Sequence, residues 1–175
     1  FASYPFFGDG SGAVLFHAGN SSSEGVLHSC RRTDGSGSDA ISVPAGGTMM
    51  PFAKMTNTRF AFFKMKGIDV FNFAVDKGYE FILHLLKEAE VSLGDVKCFI
   101  CHQANVNIIQ KIAHKLNVSM DRFFMNLFSY GNTAGASVLI ALDEARSAGV
   151  VQKGDLIITV AFGGGLSWGA NLICM

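Results

Sequence analysis

Four side chains and a run of three glycines carry most of the chemistry available in an otherwise apolar chain. They are Cys98, Cys101 and His102 in "CFICHQAN", Asn132 in "SYGNTAG", and residues 163–165 in "AFGGGLSWG". The spacing C-x-x-C-H is that of a c-type haem attachment site, and it also suits a redox dithiol or a metal-ligating pair. Residues 96–102, "VKCFICH", read as a short buried strand, and successive side chains of a strand point to opposite faces. Cys98, Ile100 and His102 then share one face, while Cys101 points to the other. A haem or dithiol needs both sulfurs on one side, so the expectation is no haem and no metal site.

His102 is left at the point where a strand ends and a helix begins, the place where open α/β sheets hold ligands. A buried histidine donating one N–H to a backbone carbonyl is the plainer alternative. Asn132 stands in a Gly-bounded loop before a helix, as a helix N-cap or as a polar contact to a ligand. The three glycines either close a hairpin or expose backbone N–H groups to a ligand.

The elements that must position these residues follow from periodicity. Residues 11–18 read as a strand, with 25–31 as its partner. Residues 33–48, rich in Gly, Ser and Asp, read as a loop. Residues 59–65 suit a short strand or an extended lead-in. Val70, Phe71, Ala74, Val75, Phe81, Ile82, Leu85, Leu86 and Ala89 mark a helix over about 69–90, with Gly78 as its weak point. Ile108, Ile109, Ile112 and Leu116 mark an amphipathic helix over 104–118. Residues 122–128 are short and apolar. A helix of small residues follows "GNTAGAS" to about Ser147, and 154–175 is a strand, a glycine break and a closing strand. This order predicts a layered α/β domain with a five-stranded mixed sheet between helices.

The 175 residues suffice for one domain with a core, and only 16% of them are charged. Basic and acidic residues balance at 14 each, which gives no reason to expect nucleic acid or a membrane surface as the main partner. No apolar run reaches the roughly 18 residues that cross a bilayer. The four cysteines, in apolar surroundings, read as reduced buried thiols of a cytoplasmic protein. The chain opens on Phe1 with neither an initiator Met nor a signal peptide, and is expected to be an internal stretch of a longer protein.

Taken together, "HQAN", "GNTAGAS" and "AFGGGLSWG" resemble the C-terminal half of the thiolase-like condensing enzymes, most closely the β-ketoacyl-acyl-carrier-protein synthase III family. "FFGDGSGAV" resembles the end of that family's N-terminal half, and "KMKGIDVFNFAV" its interdomain helix. The resemblance implies that residues 1–58 are the end of the N-terminal half with its connecting loops, and that 59–175 form the C-terminal thiolase-like domain.

The resemblance also implies a chemistry. Members pass an acyl group from coenzyme A to a cysteine, and join it to malonyl-acyl-carrier protein with loss of carbon dioxide. His102 and Asn132 match the pair that hydrogen-bonds the malonyl thioester oxygen. Gly164 matches the glycine whose N–H forms half of the oxyanion hole, and Phe162 an aromatic beside the nucleophile. Phe71 and Asn105 match residues of the coenzyme A and pantetheine channel. The substrates are a coenzyme A thioester and the phosphopantetheine of the carrier, with no covalently bound cofactor. A cytoplasmic homodimer is implied.

No cysteine here matches the nucleophile, so the chain by itself is expected to be inactive. Asn107 stands where the family usually has an arginine that docks the acidic carrier, and Ile68 where it usually has an asparagine. Lys111 and Lys115, one helical turn apart, either replace that basic face or form an ordinary solvated one. A non-catalytic subunit of the same fold, serving dimerisation or carrier binding, is the alternative.

Overall fold

Residues Val96–Cys101 are buried on both faces except at Lys97, as expected of a strand covered by helices on either side. In the computed structural model, which describes residues 4–19 and 21–175, this strand belongs to a four-stranded mixed sheet. The strands and helices in chain order are β1 (Gly25–Thr33), β2 (Ile41–Ser42), β3 (Lys64–Met65), α1 (Gly67–Glu88), β4 (Val96–Cys101), α2 (Val106–Leu116), α3 (Leu127–Tyr130), α4 (Ser137–Ser147), β5 (Leu156–Gly163) and β6 (Ser167–Cys174). The sheet order is β1-β6-β5-β4, and β2 pairs separately with β3. β4 and β5 are parallel, whereas β5–β6 and β6–β1 are antiparallel.

The two helix layers follow from two apolar stripes. Ala74, Val75, Phe81, Ile82, Leu85 and Leu86 of α1 are buried with Ile108, Ile109, Ile112 and Leu116 of α2 against one face of the sheet. Ala141 and Ala145 of α4 cover the other face over Cys98, Ile100 and Ile157. Each fully buried Ile or Leu contributes roughly 1.5–3 kcal/mol of transfer free energy. Gly78 has a packing role: a Cβ there would lie 2.6 Å from Ile112 Cδ1, so glycine lets α1 and α2 approach closely. The face assignment of the C-x-x-C also holds, with Cys98 in the α4 layer and Cys101 in the α1–α2 layer.

Two expectations are corrected. The strand expected at 11–18 does not form, and β1 pairs with β6 instead. The residues just before it lie beside the loop before α4, with Gly8 N–H donating to Asn132 O (3.1 Å) and Asn132 N–H to Phe6 O (2.8 Å), and Gly12 lies against Leu139 of α4. A Cβ on Gly8 would lie 1.8 Å from the Tyr130 carbonyl oxygen, so glycine is required for that contact. The expected fifth strand is also absent from the ladder. At 122–128 it shrinks to one parallel bridge, Phe99 to Phe123, with Phe124 N–H donating to Phe99 O (3.0 Å) and the two phenyl rings stacked at 4.8 Å. The chain then turns into α3.

Candidate active site

His102 follows β4 directly, and its N–H donates to Val160 O of β5 (2.7 Å), which continues the parallel ladder by one residue. This backbone bond aims the imidazole off the strand end. Its Nδ1 lies 2.6 Å from Ser137 Oγ, at the start of α4. The ring meets Phe162 edge-on, at 5.4 Å between centroids. Burial holds its pKa down at about 4, so the imidazole is neutral at pH 7.

Gln103 is fully buried and organises the surroundings. Its Nε2 donates to Cys101 O (2.7 Å) and to Phe124 O (3.3 Å), and its Oε1 accepts from Asn126 N–H (3.3 Å). Its own backbone N–H donates to Ser137 Oγ (3.2 Å). Asn126 is held in turn by Glu144 of α4 through Nδ2 (2.9 Å), and Glu144 also accepts from the Tyr130 hydroxyl. The segment from β4 to α4 is thus stitched together by side chains.

Asn132 stands in that segment, just before α4. Its backbone is fixed on both sides by Phe6 and Gly8, and its Oδ1 accepts from Ala134 N–H at 2.9 Å. That bond is a local turn contact two residues on and not a helix N-cap, since the N-cap position of α4 is Ala136. It also orients the amide, leaving Nδ2 as an uncommitted donor among the described residues.

Gly164 lies in the turn of the β5–β6 hairpin, tied to the end of β1 by mutual backbone bonds between Leu166 and Asp34 (2.8 Å each). A Cβ at Gly164 would meet nothing nearer than Ile41, at 3.8 Å. Packing among the described residues therefore does not demand glycine at this position. Phe162 faces His102 on one side and, with Trp168, Arg31 and Arg32, lines an open groove of about 630 Å³ on the other. Arg32, Trp168 and Phe162 are register partners across β1, β6 and β5 and so share one face.

The remaining candidates lie apart from these contacts. Phe71 is half-buried on α1, against the core. Asn105 is the N-cap of α2, its Oδ1 accepting from Asn107 N–H (2.8 Å) and Asn107 Nδ2 (3.1 Å). Lys111 is exposed. Lys115 already has an intramolecular partner, Asp76 at 2.6 Å, and lies over the Tyr79 ring.

Three of the thiols are held in the protonated form by burial. Burial raises the pKa of Cys30 and Cys98, and pushes Cys101 up to about 12. All four cysteines are free and lie on strands. Among the described residues, no three His, Cys, Asp or Glu side chains gather in a metal-holding arrangement, and no helix is long and apolar enough to cross a membrane.

A family model described as 3-oxoacyl-[acyl-carrier-protein (ACP)] synthase III C terminal matches residues 86–175, slightly more than half of the chain. The chain belongs to this family. Among synthase III relatives, the beta-ketoacyl-[acyl-carrier-protein] synthase III of Clostridium acetobutylicum is 37% identical over 167 residues, covering 95% of this chain and 51% of its own. That of Caldanaerobacter subterraneus is 41% identical over 170 residues, with 95% and 50% covered. The crystal structure of 3-oxoacyl-[acyl-carrier-protein] synthase III from Aquifex aeolicus superposes with a TM-score of 0.75 at 36% identity, covering 87% of this chain and 45% of that one. The chain spans about half the length of the synthase III relatives it matches. The layered, thiolase-like α/β fold is the fold of this synthase III domain.

Ser137 and Gln103 are the site residues that sequence reading missed. Ser137 closes "GNTAGAS" and Gln103 follows the histidine in "HQAN". Nothing in either motif indicates that their polar groups meet.

Proposed function

We propose that this chain is the C-terminal portion of a condensing acyltransferase. The reaction is acyl-CoA plus malonyl-ACP plus a proton giving 3-oxoacyl-ACP, coenzyme A and carbon dioxide. The observation that carries the reading is the state of two side chains. His102 is neutral with Nδ1 engaged by Ser137, and Asn132 has Oδ1 engaged by Ala134. Each keeps one nitrogen for a ligand, His102 Nε2 and Asn132 Nδ2.

Two neutral donors suit decarboxylation of a malonyl thioester. As the carboxylate leaves, its electron pair moves into the thioester carbonyl and negative charge grows on that oxygen. Fixed N–H groups in a site with little water stabilise that charge without reorganising. An imidazolium would bind the malonyl carboxylate as well as the developing oxyanion, so the depressed pKa favours the transition state over the ground state. Phe162 places an apolar ring beside the imidazole, which disfavours retention of a carboxylate there.

Gly164 serves the other half-reaction in this reading. Its backbone N–H would meet the thioester oxygen of the acyl-enzyme, and the absence of an intramolecular need for glycine supports a demand from the ligand side. Phe71 and Asn105 line the pantetheine channel, with Asn105 Nδ2 unpaired among the described residues and available to it. Lys111 is the better candidate for an acidic carrier, since Lys115 is already paired. The nucleophilic cysteine lies outside this chain, in keeping with the raised thiol pKa values. The parent enzyme is a cytoplasmic homodimer. Exposed Phe6, Leu15, Phe16, Phe52 and Phe62 fit a chain that is covered by further polypeptide.

The test uses the complete protein that carries this chain, incubated with short acyl-CoA and malonyl-ACP. Formation of 3-oxoacyl-ACP with stoichiometric carbon dioxide supports the reading. No product, with intact binding of acyl carrier protein, would favour a non-catalytic subunit of the same fold.

A further inference from the structure

Ser137 is 1% exposed, and its hydroxyl has few options. Its Oγ accepts from Gln103 N–H at 3.2 Å and lies 2.6 Å from His102 Nδ1. Among the described residues, that hydroxyl makes no other hydrogen bond. A buried donor without an acceptor carries its full desolvation penalty. If His102 carried its proton on Nδ1, that N–H would point at Ser137 Oγ, and the serine hydroxyl hydrogen would have no partner. If Nδ1 is bare, the hydroxyl donates to it and both groups are satisfied.

We propose that Ser137 is a positioning residue: its hydroxyl donates to His102 Nδ1 and so holds the proton on Nε2, the nitrogen that faces the site. The Gln103 N–H completes the device. It occupies one lone pair of Ser137 Oγ and turns the hydroxyl hydrogen toward the imidazole. Because Ser137 opens α4 directly after the Asn132 loop, one short segment positions both donors. The catalytic part of this inference rests on the reading above, whereas the hydrogen bond itself does not.

The experiment separates the two. The complete protein is labelled with ¹⁵N-histidine, and the His102 ring signals are assigned by their loss in His102→Gln. At neutral pH the expected spectrum has a protonated Nε2 and a bare Nδ1 displaced by an accepted hydrogen bond. Ser137→Ala should remove that displacement and admit the Nδ1–H form, while Ser137→Thr, which keeps the hydroxyl, should retain the wild-type signals. In parallel, Ser137→Ala should slow decarboxylation of malonyl-ACP by roughly 10- to 100-fold, as for loss of a histidine's orienting partner. Its acyl loading should change less than about twofold, and KM for malonyl-ACP little.

A wild-type spectrum with Nδ1 protonated overturns the proposal, as does a Ser137→Ala spectrum with Nδ1 unmoved. Should Ser137→Ala fail to fold, the wild-type Nδ1 shift decides alone, since a bare Nδ1 without an accepted bond contradicts it equally. Expected spectra with no decarboxylation by the wild type would leave the hydrogen bond standing and sink the functional reading instead.

Discussion

Gly78 of α1 lies against Ile112 of α2, so close that a methyl group on Gly78 would sit 2.6 Å from Ile112 Cδ1. Two effects oppose each other in Gly78→Ala. Alanine is favoured over glycine in a helix interior by about 1 kcal/mol, whereas overpacking a closed core costs about 1–3 kcal/mol.

The prediction is therefore about coupling. Ile112→Val removes the clashing Cδ1 and alone should cost about 0.5–1.5 kcal/mol. Gly78→Ala should be neutral to destabilising in the wild type and stabilising in the Ile112→Val background. A denaturation double-mutant cycle measures the difference, expected to exceed about 0.5 kcal/mol. Strict additivity would show that the helices relax apart freely.

The buried His102 predicts a pH dependence of stability with a definite sign. Its folded pKa of about 4 lies below the ordinary value of 6.5. Between those values the unfolded chain binds more protons, so stability is full above about pH 6.5 and declines as pH falls toward 4. The total from this residue is on the order of 3 kcal/mol at most. Urea denaturation at pH 7.5 and 4.5 should show a larger loss for the wild type than for His102→Gln. Equal losses would mean that His102 is solvated and chargeable in the fold.

Much of this arrangement was legible in the residues. The stripes of α1 and α2 recur at helical spacing because each helix buries a single face, and β4 reads as a continuous apolar run because both its faces are covered. The segment 11–18 misled because apolar content does not reveal a partner. Gly8 presses its backbone onto Tyr130 O, and Gly12 lies against Leu139 of α4, so this stretch packs on α4 and forms no strand. The fifth strand misled because pairing ends after Phe123, where the chain turns into α3. In the site, His102, Asn132 and the glycine turn stood out as polar or flexible positions at element ends. Ser137 did not, since a hydrogen bond across 35 residues has no periodic signature. Lys115 looked free for the same reason, its partner Asp76 lying on another helix.

Gly164 separates packing from function. A Cβ there meets only Ile41, at an ordinary contact distance. Gly164→Ala should leave the melting temperature within about 2 °C, as for a change inside ±0.5 kcal/mol. It should nevertheless slow acyl loading from acyl-CoA by on the order of tenfold or more, short of the 100- to 1000-fold that follows outright loss of an oxyanion donor. Loading at the wild-type rate would remove Gly164 from the site.

His102 and Asn132 are proposed to act on malonyl decarboxylation and not on acyl transfer. The measurement pairs radiolabelled acyl loading with carbon dioxide release from malonyl-ACP in the complete protein, for His102→Ala and Asn132→Ala. Each variant should lose on the order of 100- to 1000-fold in carbon dioxide release, about 3–4 kcal/mol of transition-state stabilisation, while acyl loading stays largely intact. If either variant decarboxylates at the wild-type rate, or loses acyl loading as severely as decarboxylation, the assigned role is contradicted.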